Sequence, residues 1–192
     1  HGIRVSAGFI VGFDHDPPNI LERQISFIQN SGIVTAMVAV LNAPSGTRLF
    51  QRLKSENRLL GIAIGDSLVD GSINFIPKMD YQLLLRGHRE VLETIYSQKN
   101  YYERVKAFLS EYPSPLRRKQ KIRFVDLQAL LKMTWKLGIR EDGKRYYWKL
   151  FLMSIFKHPD KVPLAMRMAA YGYHFRRIVF AARQAANAVV SL

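Results

Sequence analysis

The feature that most constrains this chain is the run at residues 3–13 (IRVSAGFIVGF), apolar almost throughout and closed off by Asp14-His15-Asp16-Pro17-Pro18. A run of this kind, bounded by charges and prolines, reads as a strand buried on both faces of a parallel sheet. A helix is expected next. Pro17 and Pro18 suit a helix entry, Leu21, Ile25 and Ile28 recur at i, i+4 and i+7, and Asn30-Ser31-Gly32 supplies a stop. A second strand follows over Ile33–Leu41, and Gly46–Asn57 forms another helix with Leu49, Phe50 and Leu53 inward. Strand, helix, strand in this length is a βαβ unit. Two parallel strands cannot cover both of their own faces, so residues 1–60 read as a slice of a larger sheet or barrel.

Residues 58–79 carry Gly61, Gly65, Gly71, Asp66, Asp70 and Pro77 with little periodicity and read as an irregular connector. From Asp80 onward the pattern is helical. Leu84, His88, Val91, Leu92 and Ile95 share one helix face, and Tyr101, Val105, Phe108, Leu109 and Tyr112 share the next, which Pro113 and Pro115 end. Helices are expected near Phe124–Leu137, near Lys144–Lys157, and from about Pro163 to Val190, the last with a stripe of Leu164, Met168, Tyr171, Phe175, Ile178 and Ala182. The expected organisation is therefore an α/β part over 1–60, a connector over 61–79 and an all-α part over 80–192.

Charge is divided unevenly. Residues 1–96 hold 9 Lys/Arg and 9 Asp/Glu, whereas residues 97–192 hold 20 and 6 and supply the whole net charge of +14. A basic half points to nucleic acid, anionic lipid or an acidic partner, or is simply a solvated helical surface. The chain has no cysteine, which excludes disulfides, thiolate zinc sites, a cysteine nucleophile and a self-contained iron–sulfur cluster. The longest uncharged run, Gln24–Thr47, is broken by Asn30, Gly32, Asn42 and Pro44 and falls short of the ~20 apolar residues a spanning helix needs. No small-residue cleavage site follows the apolar start, so a cytoplasmic location is expected, with a peripheral place at the membrane and weak contact with anionic lipid left open. The chain opens His1-Gly2-Ile3 without an initiator methionine and is expected to be a piece of a longer protein.

Two stretches sit where α/β folds bind ligands, at carboxyl ends of strands. Gly8-Phe9-Ile10-Val11-Gly12-Phe13-Asp14 lets a ligand approach the backbone or merely eases packing, and its spacing is not the dinucleotide fingerprint. Leu41-Asn42-Ala43-Pro44-Ser45-Gly46-Thr47 leads from strand to helix, where free amides meet an anion or a cofactor or simply make a turn.

These residues resemble a family. GFIVGFD, then a helix, then a strand ending in LNAPSGTRLFQRL, is similar to the last βαβ portion of the radical S-adenosylmethionine (SAM) barrel, in particular in enzymes with an N-terminal cobalamin-binding domain. The resemblance continues through Gly65-Asp66, Asn74-Phe75-Ile76-Pro77-Lys78-Met79 and Tyr101-Tyr102-Glu103-Arg104-Val105 to Tyr147-Trp148-Lys149 and Gly172-Tyr173-His174-Phe175-Arg176. It implies a barrel fragment followed by the helical domain of unknown function found after such barrels. It further implies SAM cleaved at a [4Fe-4S] cluster, whose CxxxCxxC cysteines, like the cobalamin domain, would lie upstream. What carries over here is part of the SAM pocket. Gly8, Ile10 and Gly12 match the G-x-I-x-G strand beside the adenosyl group, and Val40, Leu41 and Asn42 lie on the neighbouring strand, where backbone contacts to adenine are implied. Asp14 stands where related sequences carry an acidic residue, although the strict pattern often has glutamate one or two places on.

The remaining candidates have structural explanations too. Asp14, His15 and Asp16 are metal-ligand types, but acids beside a helix start are ordinary capping partners. His88, on an apolar helix face, reads as a core histidine. Asp66, Asp70 and Asn74 suit either a substrate-covering loop or turns. His174, with Arg167, Ala170 and Arg177, forms a face that is either wet or anion-binding. The Arg117–Arg123 cluster, with five Lys/Arg in seven positions and no interleaved aromatics, reads as a linker in preference to a nucleic-acid site. The reading is thus the C-terminal part of a radical SAM enzyme, inactive alone, that partners its own upstream barrel and in full length modifies, by methylation with cobalamin or otherwise, an unidentified small molecule, hydrophobic or not. The alternative is a basic helical module that docks on anionic membrane or nucleic acid without catalysis.

Overall fold

The computed structural model describes residues 3–61, 72–113 and 124–190. The order of elements is β1 (Ser6–Val11), α1 (Ile20–Asn30), β2 (Thr35–Val40), α2 (Arg48–Ser55), α3 (Tyr81–Tyr96), α4 (Gln98–Glu111), α5 (Phe124–Trp135), a π turn (Lys136–Arg140), α6 (Lys144–Lys157) and α7 (Val162–Val190). The strands pair in parallel, Ser6 with Thr35 through Val11 with Val40. The chain divides into two compact units. One holds residues 6–28, 35–95 and 177–192, and the other holds 1–5, 29–34 and 96–176.

In the strand-bearing unit, pleating sends alternate residues to opposite faces of the sheet. Val11, Ala36, Val38 and Val40 are buried on one face, where Val11 and Val40 pack with Leu84 of α3 and with Ile20 and Leu21. Ser6, Gly8, Ile10 and Met37 on the other face are exposed. This corrects the expectation that β1 is buried on both faces. Among the described residues only one face has a helical cover, and the apolar Ile10 and Met37 stand on the uncovered one. The expected core face of α3 holds, since Leu84, His88, Val91, Leu92 and Ile95 are all buried.

His88 explains how the far edge of β2 ends. In a parallel ladder alternate backbone groups point to opposite neighbours, and Leu41 N–H donates to Val11 C=O at 2.8 Å. The carbonyls of Ala36, Val38 and Val40 therefore point away from β1. The buried His88 Nε2 lies 2.9 Å from Val38 O and satisfies one of them. The expected core histidine closes a sheet edge.

The expected connector is tied at its ends. Leu59 and Phe75 form an antiparallel bridge, with Leu60 N–H on Asn74 C=O at 2.9 Å and Ile76 N–H on Arg58 C=O at 2.7 Å. Gly65, Asp66, Asp70 and Gly71 lie outside the described residues, as does the Arg117–Arg123 cluster.

In the helical unit the stretches that carry the resemblance pack on one another. Tyr101, Tyr102, Arg104 and Val105 of α4 are all buried. Tyr101 Oη donates to Met168 C=O of α7 at 2.8 Å, and a Cβ on Gly172 would fall 2.2 Å from the Tyr101 ring. Gly172 is thus the gap through which the ring passes. Burial pushes the Tyr101 hydroxyl well above its ordinary pKa, and the ring stays neutral. The expected stripe on α7 needs one correction. Tyr171 is exposed, and the core side of that helix is made by Ala165, Met168, Ala169 and Gly172. Small residues let α7 approach the aromatic cluster closely, and a tyrosine at 171 projects past it.

Among the described residues of this unit, Arg104 and Lys161 are buried cations, and both bond backbone carbonyls. Arg104 Nε donates to Ile33 C=O at 3.1 Å and a second guanidinium nitrogen meets Gln29 Oε1. Burial pulls Arg104 down to about 10, which leaves it charged at neutral pH. Lys161 Nζ donates to Leu109 C=O at 2.8 Å and to Tyr112 C=O at 2.5 Å. An ammonium at the end of α4 meets carbonyls that have no partner within the helix and the negative end of its dipole.

Candidate functional site

The carboxyl ends of β1 and β2 define the candidate site. Gly12 leaves β1 with φ +99°, a conformation that side chains oppose. Its N–H and that of Phe13 both donate to Asp16 Oδ2, at 2.8 and 2.9 Å. Asp16 thus folds back on the strand end and shapes the turn into α1, and Gln24 Nε2 donates to Ile10 C=O at 3.3 Å.

Asp14 is occupied differently. Its carboxylate takes a two-pronged contact from Arg58, at 2.7 and 2.9 Å, and a third bond from Arg52 at 3.1 Å. The Asp14 side chain is 3% exposed and that of Arg58 is 15% exposed, so the pair is largely out of water. The bonded Arg58 guanidinium holds the Asp14 carboxyl below its ordinary pKa, against the opposing pull of burial, and Asp14 raises Arg58 in turn. Arg58 also bonds Glu56 at 2.8 Å and the Ile76 carbonyl at 2.9 Å. Asp14 therefore ties the end of β1 to the segment after α2.

The end of β2 is clasped by two asparagines. Asn42 donates to Ser72 C=O at 2.9 Å and accepts from Asn74 N–H at 3.0 Å. Asn74, 4% exposed, accepts from Ala43 N–H at 2.9 Å and donates to Ala43 C=O at 2.8 Å. Beyond the clasp, Thr47 caps α2 by accepting from Phe50 N–H at 3.1 Å.

The residues expected at a SAM pocket therefore fall into three groups. Gly8 and Ile10 stand on the uncovered sheet face, and a Cβ on Gly8 would meet nothing within 4 Å. Gly12, Val40 and Leu41 are buried, Val40 on the covered face and Leu41 against Ala43, Leu53 and Phe75, so only their backbone is available to a ligand. Asp14 and Asn42 spend their side chains on protein partners. Met37 and Ala39, which pair with Gly8 and Ile10 in the ladder, complete the uncovered face. Parity of the parallel register is the signal that finds them. Arg58 and Arg52, the partners of Asp14, carry no local signal, because they meet it only after the chain has turned through β2 and α2.

A family model described as a domain of unknown function, DUF4070, matches residues 47–188. The chain belongs to this family. Over 176 residues it is 29% identical to an uncharacterized methyltransferase of Synechocystis sp., covering 91% of this chain and 33% of that protein. Over 164 residues it is 27% identical to the hopanoid C-2 methylase of Rhodopseudomonas palustris, covering 82% of this chain and 30% of that protein. The chain thus spans about a third of the length of the curated relatives it matches. No solved structure matches it. The family match begins at Thr47, the cap of α2, and takes in the helices that follow.

Proposed function

We propose that this chain is the C-terminal portion of a radical SAM methyltransferase, in which β1 and β2 close one wall of the SAM pocket and the family's helical domain follows in sequence. The observation that carries the reading is the half-covered parallel sheet. Its uncovered face holds a glycine at the matching position, with room where its side chain would be, and its strand ends are fixed by Asp16, Asp14 and the asparagine clasp. A sheet built this way receives a flat ligand on the Gly8–Ile10 side while its shape is held from the other.

This donor set fits the adenosyl part of SAM and does not fit the metal cluster. Gly8 and Ile10 offer van der Waals surface, and the backbone near Val40–Asn42 offers polar groups at a strand end. With no cysteine in the chain, the three thiolates of a [4Fe-4S] cluster would come from upstream, and so would any cobalamin site. Such a cluster, held by those upstream thiolates, would supply the electron for reductive cleavage of SAM. The chain's own residues bind and orient SAM, and Asp14, already paired with Arg58, fixes the loop instead of moving a proton. Relatives described as methyltransferases support methyl transfer as the reaction. The hopanoid methylase among them supports an apolar polycyclic substrate.

The test is Gly8→Val in the longer protein carrying its cluster. Valine favours strands and fills open space, so the fold is expected to stand while SAM affinity by calorimetry falls at least about tenfold. Unchanged affinity would remove the sheet face from the pocket. Gly12→Val does not serve, since a Cβ there would lie 3.0 Å from Leu84 in a strained conformation.

A further inference from the structure

The helical unit carries an uncovered surface of a different kind. On α5 and the π turn, Leu131, Trp135 and Ile139 recur at every fourth residue and are exposed, Trp135 to 60%. On α6, Leu152, Ile155 and Phe156 are exposed, Phe156 to 80%. The two stretches form one hairpin. Thr134 Oγ1 and Tyr147 Oη are 2.7 Å apart, and Trp148 Nε1 donates to Gly138 C=O at 2.9 Å. Large apolar side chains exposed on a fixed scaffold, three of them on each stretch, mark a surface that meets something.

The charges beside them say what. Each exposed apolar residue of the first stretch is followed by a cation, Lys132, Lys136 and Arg140, and these line an open groove of about 510 Å³ with Leu131 and Trp135. Residues 128–157 hold seven Lys/Arg against two acids, both in the turn at Glu141 and Asp142. A protein segment lying here would cover the apolar groups but would have to bring matching acids for the cations. A nucleic acid would meet the cations and stack on Trp135, yet would gain nothing from Leu131, Ile139, Leu152 and Ile155. An anionic bilayer accepts both, with indole and aliphatic groups at the headgroup–acyl boundary and Lys/Arg on lipid phosphates.

We propose that the α5–α6 hairpin seats this protein on the surface of an anionic lipid bilayer. Among the described residues no helix is long and apolar enough to cross a membrane, so the hairpin lies on the surface. The inference rests on the hairpin alone and stands apart from the reading of the sheet face.

The experiment is co-sedimentation of the full-length protein with vesicles of phosphatidylcholine, with and without about a third phosphatidylglycerol. Binding to the anionic vesicles is expected, at least about tenfold tighter than to the neutral ones and weakened by salt. Trp135→Glu with Phe156→Glu is expected to lower it at least about tenfold with Tm unchanged, and Lys132→Glu with Lys136→Glu to lower it separately. Absence of vesicle binding, or binding indifferent to these variants, would overturn the proposal. A fall in Tm in the Trp135/Phe156 variant without any change at vesicles would assign the face to the protein's own chain. Salt-sensitive RNA binding without vesicle binding would assign it to nucleic acid. Either of these results also overturns it.

Discussion

Among the described residues, each unit has an apolar surface that is exposed, and the two surfaces differ in chemistry. The sheet face of the strand-bearing unit is small and uncharged, made by Gly8, Ile10 and Met37. The exposed residues of the hairpin in the helical unit are aromatic, aliphatic and basic, Trp135 and Phe156 among them. The first suits a small molecule or a neighbouring strand layer, and the second suits an extended anionic surface. Their glycines make the same point at residue scale. Gly8 faces open space, whereas Gly172 is filled from the other side by Tyr101. A glycine leaves open room on the sheet face in one unit and admits a packing contact in the other.

That contrast can be broken at four places. The largest effect is expected from Gly172→Val, which forces a branched side chain into the Tyr101 ring and should cost about 3 kcal/mol, read as a lower urea midpoint. A variant as stable as the parent would mean that α7 can move off α4, and the motif would lose its packing explanation. Next is Asn74→Ala, expected to cost about 2 kcal/mol because both backbone groups of Ala43 lose their buried partners. Smaller losses would show that water replaces the amide.

Asp14→Asn should cost about 1 kcal/mol at neutral pH, between the worth of an exposed pair and that of a fully desolvated one. Its pH dependence has a definite sign. The folded carboxyl titrates below its ordinary value of 3.8, so its stabilisation is complete above that value and is lost as pH falls through the folded pKa. Urea midpoints of parent and variant should therefore converge in acid and separate toward neutrality. A constant gap across that range would refute the ion pair as the cause. The smallest effect on stability belongs to Gly8→Val, expected within about 0.5 kcal/mol of the parent. A large loss would mean that the sheet face is closed by the protein itself.

Much of the fold was legible because periodicity is local. The βαβα order, the core face of α3 and the limits of α6 follow from spacing and from Pro and Gly punctuation. The covering of β1 did not. An apolar run reports only that its side chains favour burial, and it does not say which elements supply the cover. Tyr171 was misplaced because a stripe drawn through large residues overlooks Ala165, Ala169 and Gly172, whose smallness lets α7 approach Tyr101. The place of Gly8 and Ile10 in a strand was legible from the apolar run, whereas the engagement of Asp14 with Arg58 and of Asn42 with Asn74 was not. Both depend on contacts more than thirty residues apart in sequence, with no pattern at either end.

The most direct test of the central claim is hydrogen–deuterium exchange of the full-length protein with and without SAM. The account predicts slower exchange on SAM binding in peptides covering residues 6–13 and 37–43, with α4 and α6 unchanged. Protection confined to other parts of the protein, with both strand ends exchanging as before, would contradict it.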